Sequence, residues 1–323
     1  MSGRARIALV MNPAATTSSR ALRAELVDAL APLGLERAEV TRGPGDAGRL
    51  ARAAATAGAT VIVTLGGDGT VSDVAGALAG GPVAMAPMPG GNANVFARAL
   101  GWPARPEHAV PRLVAALRAG AVREAGLGAL EPEGEPRRVF AMNCGLGIDA
   151  ATVEWIEARP RTKRRLRQAG FAAGALVAVA RARRAPRLRL SGEGIDPVTA
   201  VAVLVACGTP YTYLGRRPLD LVPGAAFDGG LAWIALTRLR PHEIAGIAGR
   251  ALRGRDLPLG GPALTGGGTV AGIEIACDDP VPLQADGEPL GRHRRVRVGP
   301  GPRLRVVDPA AGATLKSPGV RPT

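Results

Sequence analysis

Apolar residues follow two rhythms along this chain, and the change falls near residue 120. In the first third, short continuous apolar runs alternate with stretches in which apolar positions recur every three or four residues. Ile7–Met11, Leu35–Thr41, Ala59–Leu65 and Val83–Pro89 read as buried strands. Ser19 can cap a helix that carries Leu22, Leu26, Leu30 and Leu33 on one face. Further helices are expected from Asp46 to about Ala57 and from the glycine turn after Leu65 to Leu78. This alternation predicts an α/β domain, a mostly parallel sheet with helices on both faces. Ligands of such sheets gather at the loops leaving the carboxyl ends of the strands. Asn12, Thr41, Asp68 and Asn92 all stand at such ends.

Beyond a helix around Pro106–Ala119 the texture changes. Arg137–Asn143, Arg187–Leu190, Ala200–Ala206, Leu231–Leu236, Ile273–Ala276 and Arg295–Val298 read as strands divided by Gly, Pro and Asp turns. A second, β-rich and largely antiparallel domain is expected over 121–299. The tail 308–323 is rich in Pro, Gly and small residues and is expected to be disordered.

The sharpest chemical signal is Gly66-Gly67-Asp68-Gly69-Thr70, directly after a buried strand and before Val71-Ser72-Asp73. Glycines let backbone approach a ligand, and helix-start N–H groups favour an anion. A carboxylate in such a loop repels phosphate unless it meets Mg2+, orients water or takes a proton in phosphoryl transfer. The plainer alternative is a tight turn with Asp68 capping the helix.

Five further segments accompany that loop in order. They are Asn12-Pro13-Ala14-Ala15, Pro89 through Arg98, Asn143 through Ala150, Val222 through Gly229, and Asp286-Gly287-Glu288-Pro289. The ordered set, spanning Asn12 to Pro289, resembles the lipid kinases built on the diacylglycerol kinase catalytic domain. That resemblance implies an ATP- and Mg2+-dependent kinase acting on a lipid hydroxyl, with its site in a cleft between two domains. It implies a nucleotide-binding domain of residues 1–120 completed by a returning strand at about 300–307. Nucleotide contacts then fall to Asn12, Pro13, Ala14, Thr41, Gly66, Gly67, Asp68, Gly69, Thr70, Gly91 and Asn92. Asp228 becomes a Mg2+ ligand beside the carbonyls of Ala225 and Gly230, and Asn94, Arg98 and Asp149 face the substrate. Glu288 becomes the proton acceptor, with Asp286 and Asp68 as the other catalytic carboxylates. Each residue keeps an ordinary reading: Asp149 as a helix cap, Asp228-Gly229 and Asp286-Gly287 as hairpin turns, Asn94 as a loop tie. The chain departs from the family pattern at Thr16, Ser72-Asp73, Asn92 and Ala232, where glycine, Asn-Glu, threonine and a second Asp are usual. Two other functions therefore stay open: an NAD kinase, which shares the glycine loop, and a catalytically weak lipid-binding regulator.

Composition narrows the class. Apolar residues make up 46% and aromatics only 3%, which suits an Ala/Val/Leu/Ile core rather than a module stacking on nucleic-acid bases. The net charge of +14 favours an acidic partner, but nearly all of it is arginine; Lys163 and Lys316 are the two lysines. Cys144, Cys207 and Cys277 lack metal or disulfide spacing and read as core residues of a reducing compartment. Ile7–Met11 is too short for a signal peptide, and no run approaches the roughly 20 apolar residues of a span. A cytoplasmic protein, peripherally membrane-associated, is expected, with a homodimer among the possible assemblies. The basic run Arg159–Arg167 precedes the apolar run Ala169–Ala180, a pairing that suits either an anionic membrane surface or a core helix with solvated ends.

Overall fold

The computed structural model describes residues 5–158 and 187–314; the runs Arg159–Arg167 and Ala169–Ala180 lie outside the described residues. The chain divides into two compact units, with boundaries between Ala125 and Gly126 and between Pro302 and Arg303.

The first unit alternates β1 (Ile7–Met11), α1 (Arg20–Leu30), β2 (Leu35–Val40), α2 (Asp46–Thr56), β3 (Val61–Gly66), α3 (Asp68–Leu78), β4 (Ala84–Pro89), α4 (Val95–Ala99) and α5 (Pro106–Ala119). The sheet order is β2-β1-β3-β4, every pair parallel, and Val306 from the end of the chain pairs with Met85 beyond β4. Strands β1, β3 and β4 are buried along their whole length, which is why they read as unbroken apolar runs. β2 is the edge, and its Glu36, Arg37 and Glu39 keep that edge wet. Because the chain leaves β1 in one direction and returns past it to β3, right-handed crossovers place α1 on one face and α2 and α3 on the other. The packing agrees: α2 lies on α3, and α1 contacts α5.

Ser19 caps α1, its Oγ accepting from the Leu22 N–H at 3.0 Å, and Leu22, Leu26 and Leu30 are buried. Leu33 departs from the expected stripe. Pro32 has no N–H to continue the helix, so Ala31–Leu33 forms a 3-10 turn closed by Gly34 at φ 104. The chain end also departs from expectation. Pro309–Thr314 forms a 3-10 helix against α5, with Arg112 Nη1 donating to the Pro309 carbonyl at 3.2 Å, so disorder does not begin at Asp308.

The second unit is mainly antiparallel. It takes up most of β5 (Val122–Pro132), then β6 (Arg138–Phe140), β7 (Asn143–Gly147), α6 (Ile148–Glu157), β8 (Leu188–Gly192), β9 (Ile195–Ala200) and β10 (Ala202–Ala206). β11 (Thr212–Leu214), β12 (Arg217–Leu219), β13 (Leu231–Leu236), α7 (Pro241–Leu252), β14 (Leu264–Val270), β15 (Ile273–Ala285) and most of β16 (Glu288–Val307) follow. β14-β13-β10-β7-β15-β16 form the main run, and β11–β12 is a separate hairpin. Phe140, Leu146, Val203, Val205, Leu283 and Val296 meet in one apolar core with Cys144, Cys207 and Cys277, whose thiols are all free. Among the described residues no helix is long and apolar enough to cross a membrane.

The structure departs from the expected elements in several places. The expected strand Arg137–Asn143 is interrupted, because the N–H groups of Ala141, Met142 and Asn143 turn to the Asp286 carboxylate instead of a strand partner. β14, which carries Gly266, Gly267 and Gly268, is not among the expected strands; a Cβ on Gly266 would overlap the Trp233 carbonyl across the strand pair. Helix α7 and strand β5 were not expected; Pro241 opens α7 at its first turn.

Ile62, the second residue of β3, is fully buried in the core of the first unit. Ile62→Ala is expected to cost about 2–5 kcal/mol, read as a lowered urea midpoint at unchanged m-value.

Candidate functional site

Two constellations emerge, one in each unit, and the first is built from backbone. The topological switch point lies between β1 and β3, whose carboxyl ends carry Asn12 and Gly66. Asn12 Nδ2 donates to Thr70 Oγ1 at 2.9 Å, while its Oδ1 accepts from the Ala14 N–H at 2.9 Å. Its own N–H donates to the Leu65 carbonyl at 2.8 Å, and Pro13 has no N–H to offer. The first loop is thus tied to itself and to β3. Thr16, where the family pattern has glycine, does not adopt positive φ; among the described non-glycine residues only Asn94, Thr269 and Asp286 do. Thr41 is buried at the end of β2, its N–H on the Met11 carbonyl at 2.8 Å.

The glycines serve a close approach, but of one loop to another. The Gly90 N–H donates to the Gly66 carbonyl at 2.8 Å, and Thr17 donates to the Gly90 carbonyl at 2.9 Å. A Cβ on Gly90 would lie 2.8 Å from the Gly66 nitrogen, and one on Gly91 would lie 2.6 Å from the Gly67 Cα. Asn94, in the left-handed region at φ 49, closes the tip: its Oδ1 accepts from Gly91 N–H at 2.8 Å and its Nδ2 donates to the Gly91 carbonyl at 3.0 Å. Asp68 makes no side-chain cap of its own helix, α3; its Oδ1 accepts from the Val95 N–H at 2.5 Å, at the start of α4. Arg98 Nη1 donates to the Ala93 carbonyl at 3.3 Å. Gly69 and Thr70 lie in the first turn of α3, and Asn92 is exposed at the loop tip. The N–H groups of Gly67, Asn92 and Ala93 donate to no protein acceptor among the described residues. They are amides with capacity for an anion's oxygens, next to the start of α3.

The second constellation is built from side chains. β15 and β16 join at Asp286-Gly287, with φ 50 and 81, a two-residue turn in which Ala285 pairs with Glu288. Asp286 Oδ1 accepts from Met142 and Asn143 N–H at 2.8 and 3.2 Å, and Oδ2 from Ala141 at 2.7 Å. Glu288 is exposed beside it. Asp149 sits in the first turn of α6 without capping it. Its Oδ1 accepts from the Tyr211 hydroxyl at 2.6 Å and its Oδ2 from Gln284 Nε2 at 2.7 Å. Burial pushes the Asp149 carboxyl above the usual carboxylate range, and the bonds from Tyr211 and Gln284 partly oppose that rise. The Tyr211 hydroxyl is pushed well above its ordinary value by burial and by the neighbouring Asp149 charge. Sequence reasoning passed over Gln284 and Tyr211. Gln284 carried a signal, a lone amide between Leu283 and Ala285 in an apolar strand; Tyr211 carried none.

Asp228 is exposed after the loop Val222–Phe227 and makes no hydrogen bond or ion pair among the described residues. Gly230 takes φ 84, and Thr269 Oγ1 donates to the Gly229 carbonyl at 2.9 Å. Ala232 is fully buried in an apolar cluster with Leu204, Ala206, Val222 and Ala225, so it brings no oxygen to this loop. Among the described residues no group of three or more His, Cys, Asp or Glu could hold a metal. The loop therefore presents one exposed carboxylate, that of Asp228.

The comparisons with known proteins converge. A model of the diacylglycerol kinase catalytic domain matches residues 6–129. The protein named "Probable lipid kinase YegS-like" of Pseudomonas aeruginosa strain UCBPP-PA14 is 30% identical over 293 residues, covering 86% of each chain. The chain belongs to the YegS-like lipid-kinase family. Another YegS-like relative, from Pseudomonas putida strain KT2440, is 30% identical over 286 residues, 87% of this chain and 88% of its own. In fold, the chain is similar to the crystal structure of a diacylglycerol kinase from Bacillus anthracis strain Sterne. The TM-score is 0.67 at 20% identity, covering 94% of this chain and 96% of that one.

The Asp149 bonds give a pH prediction. Because the folded state holds this proton more tightly than the unfolded chain, the group's stabilising contribution is fullest below the ordinary carboxylate pKa. It declines as pH rises through the folded value. Tyr211→Phe and Gln284→Leu each remove a bond to the ionised form, so each is expected to raise the Asp149 pKa further in a carbon-13 carboxyl titration.

Proposed function

We propose that the protein is an ATP- and Mg2+-dependent kinase that transfers the γ-phosphoryl group to a lipid hydroxyl, diacylglycerol or a close relative. The observation that carries this reading is the set of open amides at Gly67, Asn92 and Ala93, framed by loops of the unit that matches the kinase domain model. Relatives matching over most of their length bear the lipid-kinase name, which favours this reading over an NAD kinase.

In this reading the open amides donate to phosphate oxygens, and Asn12, Thr41, Thr70, Gly91 and Asn92 shape the nucleotide pocket. Asn94 and Arg98 act by holding the 90–94 loop, since both are bonded to it. When bound, ATP supplies the phosphoryl group and Mg2+, held by Asp228 with the Ala225 and Gly230 carbonyls, neutralises its charge. A lipid hydroxyl has a pKa far above 7, so a carboxylate must take its proton as phosphorus is attacked. Glu288 takes that role. Asp286 serves as the strut of the turn that presents Glu288, because three backbone N–H groups already occupy its carboxylate.

Glu288→Gln and Asp68→Asn keep shape and remove charge. Each is expected to lower kcat about 100-fold or more on diacylglycerol micelles with labelled ATP, at unchanged thermal midpoint. Activity surviving in both variants, or phosphorylation of NAD in place of lipid, would sink the reading.

A lipid substrate of this kind is met at a membrane surface. The basic run Arg159–Arg167 supplies attraction worth about 1 kcal/mol per charge, screened over a Debye length of roughly 8–10 Å. Replacing Arg161, Lys163, Arg164 and Arg165 with glutamine is expected to reduce co-sedimentation with anionic vesicles while sparing activity on a short-chain soluble substrate. Equal sedimentation of the variant and the parent would place docking elsewhere.

A further inference from the structure

Gln284 is 1% exposed, and both ends of its amide are in use. Nε2 donates to Asp149 Oδ2 at 2.7 Å and to Asn143 Oδ1 at 3.2 Å, while Oε1 accepts from the Gly287 N–H at 2.9 Å. One side chain therefore joins the first turn of α6, the start of β7 and the tip of the β15–β16 hairpin. Gly145 makes the room: it pairs with Gln284 across the strands, and a Cβ there would overlap Asp149 Oδ2 and approach Gln284 Nε2 to 3.1 Å. Tyr211 fixes the far side of the Asp149 carboxylate at 2.6 Å. Asn143 reinforces the same tip, its carbonyl accepting from the Asp286 N–H at 2.8 Å.

Glu288 follows directly on a two-residue turn whose Gly287 N–H is held by Gln284 Oε1. We propose that Gln284, oriented by Asp149 and Tyr211, is a positioning residue that straps the Gly287 amide and so fixes where the Glu288 carboxylate stands. Gln284 touches neither nucleotide nor lipid in this scheme; it acts through Gly287. The inference rests on the lipid-kinase reading for the role of Glu288, and on hydrogen-bond geometry alone for the strap.

Polarity gives the test. Gln284→Glu keeps an acceptor for Gly287 but sets one carboxylate against another at Asp149, which displaces the strap. Adding Asp149→Asn restores a donor–acceptor pair running the other way. The amide introduced at position 149 can donate to the carboxylate introduced at position 284 while its carbonyl still accepts from the Tyr211 hydroxyl. Gln284→Glu is expected to lower kcat at least tenfold with the KM for ATP within twofold of the parent. The double variant is expected to regain at least fivefold over Gln284→Glu, although Asp149→Asn alone gains nothing. A double variant no better than Gln284→Glu, or a Gln284→Glu enzyme within twofold of the parent in kcat, overturns the positioning role.

A second arm needs no activity. In Gln284→Leu the Gly287 amide loses its acceptor, and its hydrogen exchange measured by amide-resolved NMR should accelerate tenfold or more. Unchanged exchange refutes the strap itself. Accelerated exchange in a protein whose parent phosphorylates no lipid refutes the proposed function and with it the catalytic part of the inference, while upholding the strap.

Discussion

The contact of Gly90 with Gly66 constrains everything at the carboxyl ends of the parallel strands. A backbone N–H reaches a backbone carbonyl at 2.8 Å there, and the loop after β1 joins in because the Thr17 N–H donates to the Gly90 carbonyl. No side chain fits between these loops; even one methyl group would stand 2.8 Å from the Gly66 nitrogen. With the loops locked together, Asp68 reaches across to Val95 and Asn12 to Thr70 without any long side chain having to be ordered. Rigid backbone costs little further conformational entropy when a ligand arrives, which is the advantage of building an anion site from amides rather than from lysines.

The second unit solves the opposite problem. Its polar groups are side chains set beside an apolar core, where an unpaired amide or carboxylate costs several times what a paired one contributes. The arrangement is therefore closed. Asp286 accepts three backbone donors, Gln284 spends both ends of its amide, and Asp149 receives one donor on each oxygen. Asn143 and Asp149 on one side, and Gln284 and Asp286 on the other, come from segments more than 130 residues apart in the chain.

Local physics made the first unit readable. Buried parallel strands must be apolar throughout, and caps such as Ser19 lie within a few residues of the helix that they close. The second unit was legible only where strands alternated cleanly. Glycines in β14 look like a turn until the Trp233 carbonyl is found across from Gly266, and nothing near residue 141 announces that a carboxylate at 286 will take its N–H. The same reason hid Tyr211 and Gln284. Their meaning is a partner distant in sequence, whereas the motif residues carry theirs in close neighbours. The loop glycines also permit an approach that their neighbours in sequence do not announce, that of Gly90 to Gly66.

Strand β16 runs through the boundary at Pro302 and ends in the first unit, where Val306 pairs with Met85. On the ribosome that pairing waits for about 220 residues of further synthesis, roughly 10–45 s at typical elongation rates of about 5–20 residues per second. During that interval β1, β3 and β4 can assemble, but the outer side of β4, buried at every position in the finished protein, has no strand to cover it. An apolar edge held open for so long is a template for pairing with another chain. The same connection makes the first unit's sheet a sensor of completion: a chain truncated anywhere before Arg303 lacks the strand that closes it.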